Sequence, residues 1–269
     1  MAMTEQEWLA CSDQEIMLTS LKHQGSKRKL ALFGCACCRR IWHVIADHRK
    51  RRAVELVELI DAGPGQPEEW EALCVMLRVA ESPAIEGLSQ EENKWRQSVE
   101  ALAATDISSR EPSDYADQAA LLAANVQAAQ IYDWVVVLAR KAAHYAGLAA
   151  VMARAGSLPS GESREEEWRD IWRKIDQARE KELRPQADLL RDILGSPFRP
   201  VTLNPAWRTS NVTGLAQSIY DDRAFDRLPI LADALEDAGC DNADILNHCR
   251  QPGVHVRGCW VVDLVLGKE

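Results

Sequence analysis

"KRKLALFGCACCRRIWHVIAD", residues 27–47, decides the fold class. On a helical wheel of about 100° per residue, Arg39, Arg40, His43, Asp47 and Ala36 fall within an arc of about 100°. Phe33, Cys35, Cys37, Cys38, Ile41, Trp42 and Ile45 fill the remainder, so the stretch reads as an amphipathic helix with its cysteines on the apolar side. Cys35 and Cys37 point about 160° apart on that wheel and cannot both reach one ion while the helix is intact. The C-x-C-C run is therefore expected to pack, as free cysteines commonly do, and to bind no metal.

Helical periodicity continues outward in both directions. Thr4 and Ser12 can start short helices over EQEWLA and DQEIMLTSLKH, because a side-chain oxygen there accepts a first-turn N–H. RRAVELVELIDAG, PEEWEALCVMLRVAE, SQEENKWRQSVEALAATD and an Ala-rich run from Ser113 to about Ala155 follow. REEEWRDIWRKIDQAREKELRPQADLLRDILG then alternates charge as a solvated helix does, and shorter helices complete the chain. WVVV and WVVDLVL are the only strand-like pieces, and their flanks favour helix. The expectation is an all-α protein, a multi-helix bundle or an irregular α-solenoid-like array. GSLPSGES, residues 156–163, is a linker candidate between an N-terminal helical region, 1–155, and a C-terminal one, 164–269. The C-terminal region is expected to pack with residues 1–52 as one unit.

Charge is uneven. Lys22 to Arg52 holds ten Lys or Arg against the single acid Asp47, in a chain whose net charge is −9. That balance argues against a surface wholly built for nucleic acid or an anionic membrane. The clusters Lys27–Lys29 and Arg49–Arg52 could still grip phosphates, about 30 Å apart if one helix joins them. Compensation by the acidic helices that follow is the plainer account. Eight cysteines in 269 residues fall below disulfide-scaffold density, and no long apolar run exists. Reduced thiols and a cytoplasmic location are the expectation.

Two sets of residues could carry chemistry. Cys35, Arg39 and His43 lie along one edge of the opening helix, the arrangement a Cys–His nucleophile would need. At the other end, "CDNADILNHCRQPGVHVRGCW" gathers Cys240, His248, Cys249, His255 and Cys259 around a Pro252–Gly253 turn, so convergence on a zinc ion is sterically feasible. His248 and Cys249, being adjacent, point in different directions, so at most one is expected to ligate. Asp263 stands alone among apolar residues in CWVVDLVLG; burial would demand a cationic partner, expected to be Arg39 or Arg40. Arg39, Arg40, His43 and Asp263 are accordingly the candidate binding residues.

"MTEQEWLACSDQEIMLTSLK", "RKLALFGCACCRRIWH", "QADLLRDILGSPFRPV", "AQSIYDDRAFDRLPILADALEDAGC" and "HCRQPGVHVRGCWVVDLVLGKE" resemble the hallmark segments of a large group of paralogous proteins from planctomycete bacteria. The likeness covers about residues 3–52 and 185–269 and implies kinship without a mechanism. The residues themselves point first to a noncatalytic protein-interaction or scaffold module, with no cofactor required and another protein as partner. Nine Trp would supply large contact surfaces. A zinc-stabilised or nucleic-acid-binding module and a cysteine-dependent enzyme are the alternatives.

Overall fold

A computed structural model describes residues 3–21, 26–45, 48–60 and 165–268. The helices expected between residues 64 and 155 and the linker candidate at 156–163 lie outside the described residues. Within them the chain is all-α, with no strand.

The first helices follow from their caps. Thr4 accepts the Glu7 N–H while the Glu7 carboxylate reaches back to the Thr4 N–H, a reciprocal cap that starts α1 (Glu5–Ala10). Asp13 takes the Glu15 N–H at 2.8 Å to start α2 (Gln14–Ser20). Trp8 and Met17 from this pair are fully buried. Ser26 caps α3 (Lys27–Arg40), whose apolar side, Leu30, Phe33, Cys37 and Cys38, is buried as the wheel requires.

The opening helix is shorter than its periodicity suggests. Instead of running to Asp47 it ends at Arg40, where the Ile41 N–H bonds the Cys38 carbonyl and the Val44 N–H bonds Ile41, tightening the chain into a turn. Trp42 leaves the helical course, and the Arg39 guanidinium lies 3.9 Å from its ring centre. After the turn, α4 (His48–Ile60) runs on as a separate helix.

α5 (Glu165–Leu194) is the spine, and α2, α3 and the last helix all pack on it. It carries Pro185 internally, which removes the hydrogen bond to the Lys181 carbonyl. Beyond Gly195 come a 3₁₀ turn over Pro205–Trp207, α6 (Ser210–Asp222), α7 (Leu228–Asp237), α8 (Ala243–Arg250) and α9 (Trp260–Leu266). These close around one apolar core that includes Ile219, Leu231, Leu235, Ile245 and Val262. WVVDLVL is thus helical, as its flanks suggested.

The two ends of the chain meet through specific contacts. Gly258 sits at φ +96°, and a Cβ there would lie 2.9 Å from Leu32 Cδ1 on α3, so both conformation and space call for glycine. Lys29 Nζ donates to the carbonyls of Ile193 and Gly258 at 2.8 and 2.9 Å, tying α3 to the end of α5 and to the approach to α9. Asp263 is 1% exposed, but its partner is not Arg39 or Arg40. Arg28 holds it with two hydrogen bonds of 2.8 and 3.1 Å, and Lys29 Nζ lies 2.7 Å away. The reason is position along α3: Arg39 and Arg40 stand three turns further on. There Arg39 forks onto Glu58 of α4 and Arg40 onto Glu182 of α5.

Candidate metal centre

Asp192, in the last turn of α5, receives His255 Nδ1 at 2.6 Å and His248 Nε2 at 3.1 Å on the same oxygen, Oδ1. Its other oxygen accepts the Val256 N–H at 2.9 Å. His248 Nε2 also lies 3.2 Å from Cys259 Sγ. One carboxylate oxygen, two imidazole nitrogens and one sulfur therefore all lie within 4.8 Å of one another, a group that could hold a metal ion.

Each donor is fixed by its element. His248 stands on α8, whose Asn242 cap accepts two N–H groups. The Gln251 amide meets its Nδ1 at 3.2 Å, leaving Nε2 aimed at the cluster. Such a contact to the second ring nitrogen is the usual means of orienting a metal-ligating histidine. His248 also packs between the His255 and Trp260 rings, with centroids 4.9 and 5.1 Å away. His255 comes from the segment after the Pro252–Gly253 turn, and Cys259 is the residue from which α9 starts. Cys259 is fully buried, and the side chains of Asp192, His248 and His255 are less than a tenth exposed.

The protonation states show what these groups lack. Burial works against the Asp192 charge, but hydrogen bonds from His248 and His255 prevail and hold its carboxyl below the ordinary value. Burial likewise disfavours the His255 cation, yet the Asp192 carboxylate outweighs it and raises the ring pKa. The Cys259 thiol is pushed well above its usual value, first by burial and then by the Asp192 charge, with the Val261 and Val262 N–H groups only partly opposing. Two rings thus share one carboxylate oxygen beside a buried thiol. A dication would answer both: one carboxylate and one thiolate balance its charge, and neutral imidazoles supply the remaining donors. Bonds of about 2.0–2.3 Å in a tetrahedron need donor–donor edges of roughly 3.3–3.7 Å, so the contacts at 2.6, 3.1 and 3.2 Å would have to open for an ion to enter.

The structure sorts the sequence candidates. His248, His255 and Cys259 are brought together; Cys240 and Cys249 are not part of the group. Cys249 follows His248 on α8 and faces the apolar core with Cys240, where burial pushes its thiol to about 12. Asp192 was missed. At the other end, Cys35, Cys37 and Cys38 are buried with thiols raised by burial, and Cys35 Sγ lies 3.8 Å from the Val54 carbonyl. His43 stands exposed in the turn beyond α3, so no Cys35–His43 edge forms. Of the basic clusters, Arg28 and Lys29 serve Asp263, Arg51 donates to the Ile45 carbonyl, and Arg52 lies 3.5 Å from Glu55. The side chains of Lys27, Arg49 and Lys50 lie outside the described residues. No helix among the described residues is long and apolar enough to cross a membrane. No family model, curated protein or solved structure matches the chain.

Proposed function

We propose that the chain is a noncatalytic helical scaffold or protein-interaction module whose C-terminal unit is held by structural zinc. The observation that carries this is the closed, charge-balanced donor set of Asp192, His248, His255 and Cys259. Mixed nitrogen and sulfur donors favour zinc over magnesium or calcium, which prefer oxygen. A catalytic zinc keeps a position open for water or substrate, whereas here four protein donors enclose the site. Such an ion acts on shape: it would bind the end of α5 to α8 and to the start of α9, fixing the surface that a partner meets.

The test is elemental analysis of the chain purified without chelator or nickel resin, expected to find about one zinc per chain. Asp192→Ala and Cys259→Ala should lose it, while Cys249→Ala should keep it. Cobalt(II) substitution adds a readout that does not require a stability change, because a thiolate ligand gives charge-transfer absorption that Cys259→Ser should abolish. A folded, metal-free chain whose melting ignores both chelator and added zinc would sink the proposal.

A further inference from the structure

A cleft of about 770 Å³ opens where α1 and α2 meet the end of α5 and the faces of α8 and α9. That is the size of sites that enclose small organic ligands. Its walls are unequal in charge: Lys29, Arg191, Arg199 and Lys268 face it, against the carboxylates of Asp244 and Asp263. Of its unmet hydrogen-bonding groups, one leans the same way. The Trp8 indole Nε1, on a side chain with no exposure, and the Ser196 hydroxyl are both buried without a partner, and both residues line the cleft. The indole can only donate, whereas the hydroxyl can donate or accept. Leu194, Trp260 and Leu264 supply apolar wall.

We infer that this cleft binds a small amphipathic anion, a carboxylate carried on an apolar or aromatic body. The net positive lining would draw the charge in, the Trp8 indole and the Ser196 hydroxyl can both donate to acceptor atoms, and the apolar wall would take the body. Lys29 and Arg191 contribute field more than contact. Lys29 already serves Asp263 and two carbonyls, and Arg191 donates to the carbonyls of Trp8 and Cys11. Arg199, paired with Glu5 and Asp244 at the exposed mouth, is the cation best placed to exchange partners. This reading does not depend on the metal, although His248 and Gln251 line one wall.

Calorimetric titration of the full chain with 1-naphthylacetate, and with 1-naphthylmethylamine as the cationic counterpart, tests it. The carboxylate should bind saturably at one site, roughly tenfold or more tighter than the amine. Arg199→Glu should weaken the carboxylate by about tenfold, and Pro200→Trp, a plug at the exposed rim, should abolish it. Circular dichroism melts would show that both variants fold. Absence of saturable carboxylate binding overturns the inference, as does an amine that binds equally well. Both of those results are read on the unmodified chain. Carboxylate binding unchanged in both folded variants would also overturn it, by placing the ligand elsewhere.

Discussion

The buried charges beside α3 and those at the end of α5 are handled in opposite ways. Along α3 each buried carboxylate is held by a guanidinium through two hydrogen bonds, Asp263 by Arg28, Glu58 by Arg39 and Glu182 by Arg40, with Lys29 added at Asp263 and Arg223 at Glu58. Such pairs satisfy the geometry of both partners. At Asp192 two imidazoles converge on one oxygen beside a protonated thiol. The contrast separates structural ion pairing from a site that calls for something more. Cysteine density does not: the C-x-C-C run belongs to the satisfied region, and the sparser C-terminal set to the unsatisfied one.

The largest expected effect follows from removing what the second region calls for. Stripping the proposed zinc should cost roughly 5 kcal/mol of stability and lower the melting midpoint, reversibly on adding zinc. The pH dependence should change sign as well. In the stripped chain His255, raised above 6.5, gives stability that is fully present below that value and lost as pH rises through the folded pKa. Asp192, lowered from 3.8, gives stability present above that value and lost as pH falls through its folded pKa. The loaded chain must instead release protons, from the thiol and from any charged imidazole, so its stability rises with pH over the window where the stripped chain's falls. Melting both forms from about pH 6 to 8.5 reads the difference. Parallel curves would place the metal, if any, elsewhere.

The first region breaks differently. Asp263→Ala would take the buried carboxylate away from the Arg28 and Lys29 cations and should cost about 3 kcal/mol without changing zinc content. Denaturant unfolding measures it. A cost below about 0.5 kcal/mol would mean that water solvates both cations and that the ends are not locked there.

That Asp263, if buried, needs a cationic partner was legible, because the helix around it is apolar on every side; whether it is buried was not. Its partner was not. A helical wheel gives direction around an axis but not height along it, and Arg28 and Arg39 differ by about three turns. The all-α class was legible from periodicity and caps, but the end of α3 was not, since Trp42 and Ile45 continue the apolar pattern past the point where the backbone turns. At the candidate centre, His248, His255 and Cys259 stood out as a concentration of ligand types around a turn. Asp192 gave no such signal. It points about 160° away from Leu190 on the wheel of α5, where a surface acid is expected. It is buried because the chain from His255 to Cys259 returns over the helix end, more than 60 residues later in sequence.

Cys37→Ala is the smallest change and the sharpest comparison with Cys259→Ala. Both thiols are fully buried and both have their pKa raised well above the usual value, first by burial. Nothing in their exposure or acidity distinguishes them. Their neighbours do: Cys37 lies within the packed apolar side of α3, whereas Cys259 Sγ faces an imidazole nitrogen at 3.2 Å and lies beside a carboxylate. At Cys37 the loss is therefore one sulfur's packing, roughly 1 kcal/mol, with zinc retained and the pH profile unchanged. The same truncation at Cys259 should also lose the ion and the protons coupled to it. Denaturant midpoints and metal content of the two variants, measured side by side, check this. Loss of zinc from Cys37→Ala would erase the distinction between the regions, because a side chain buried on α3 would then be acting as a ligand.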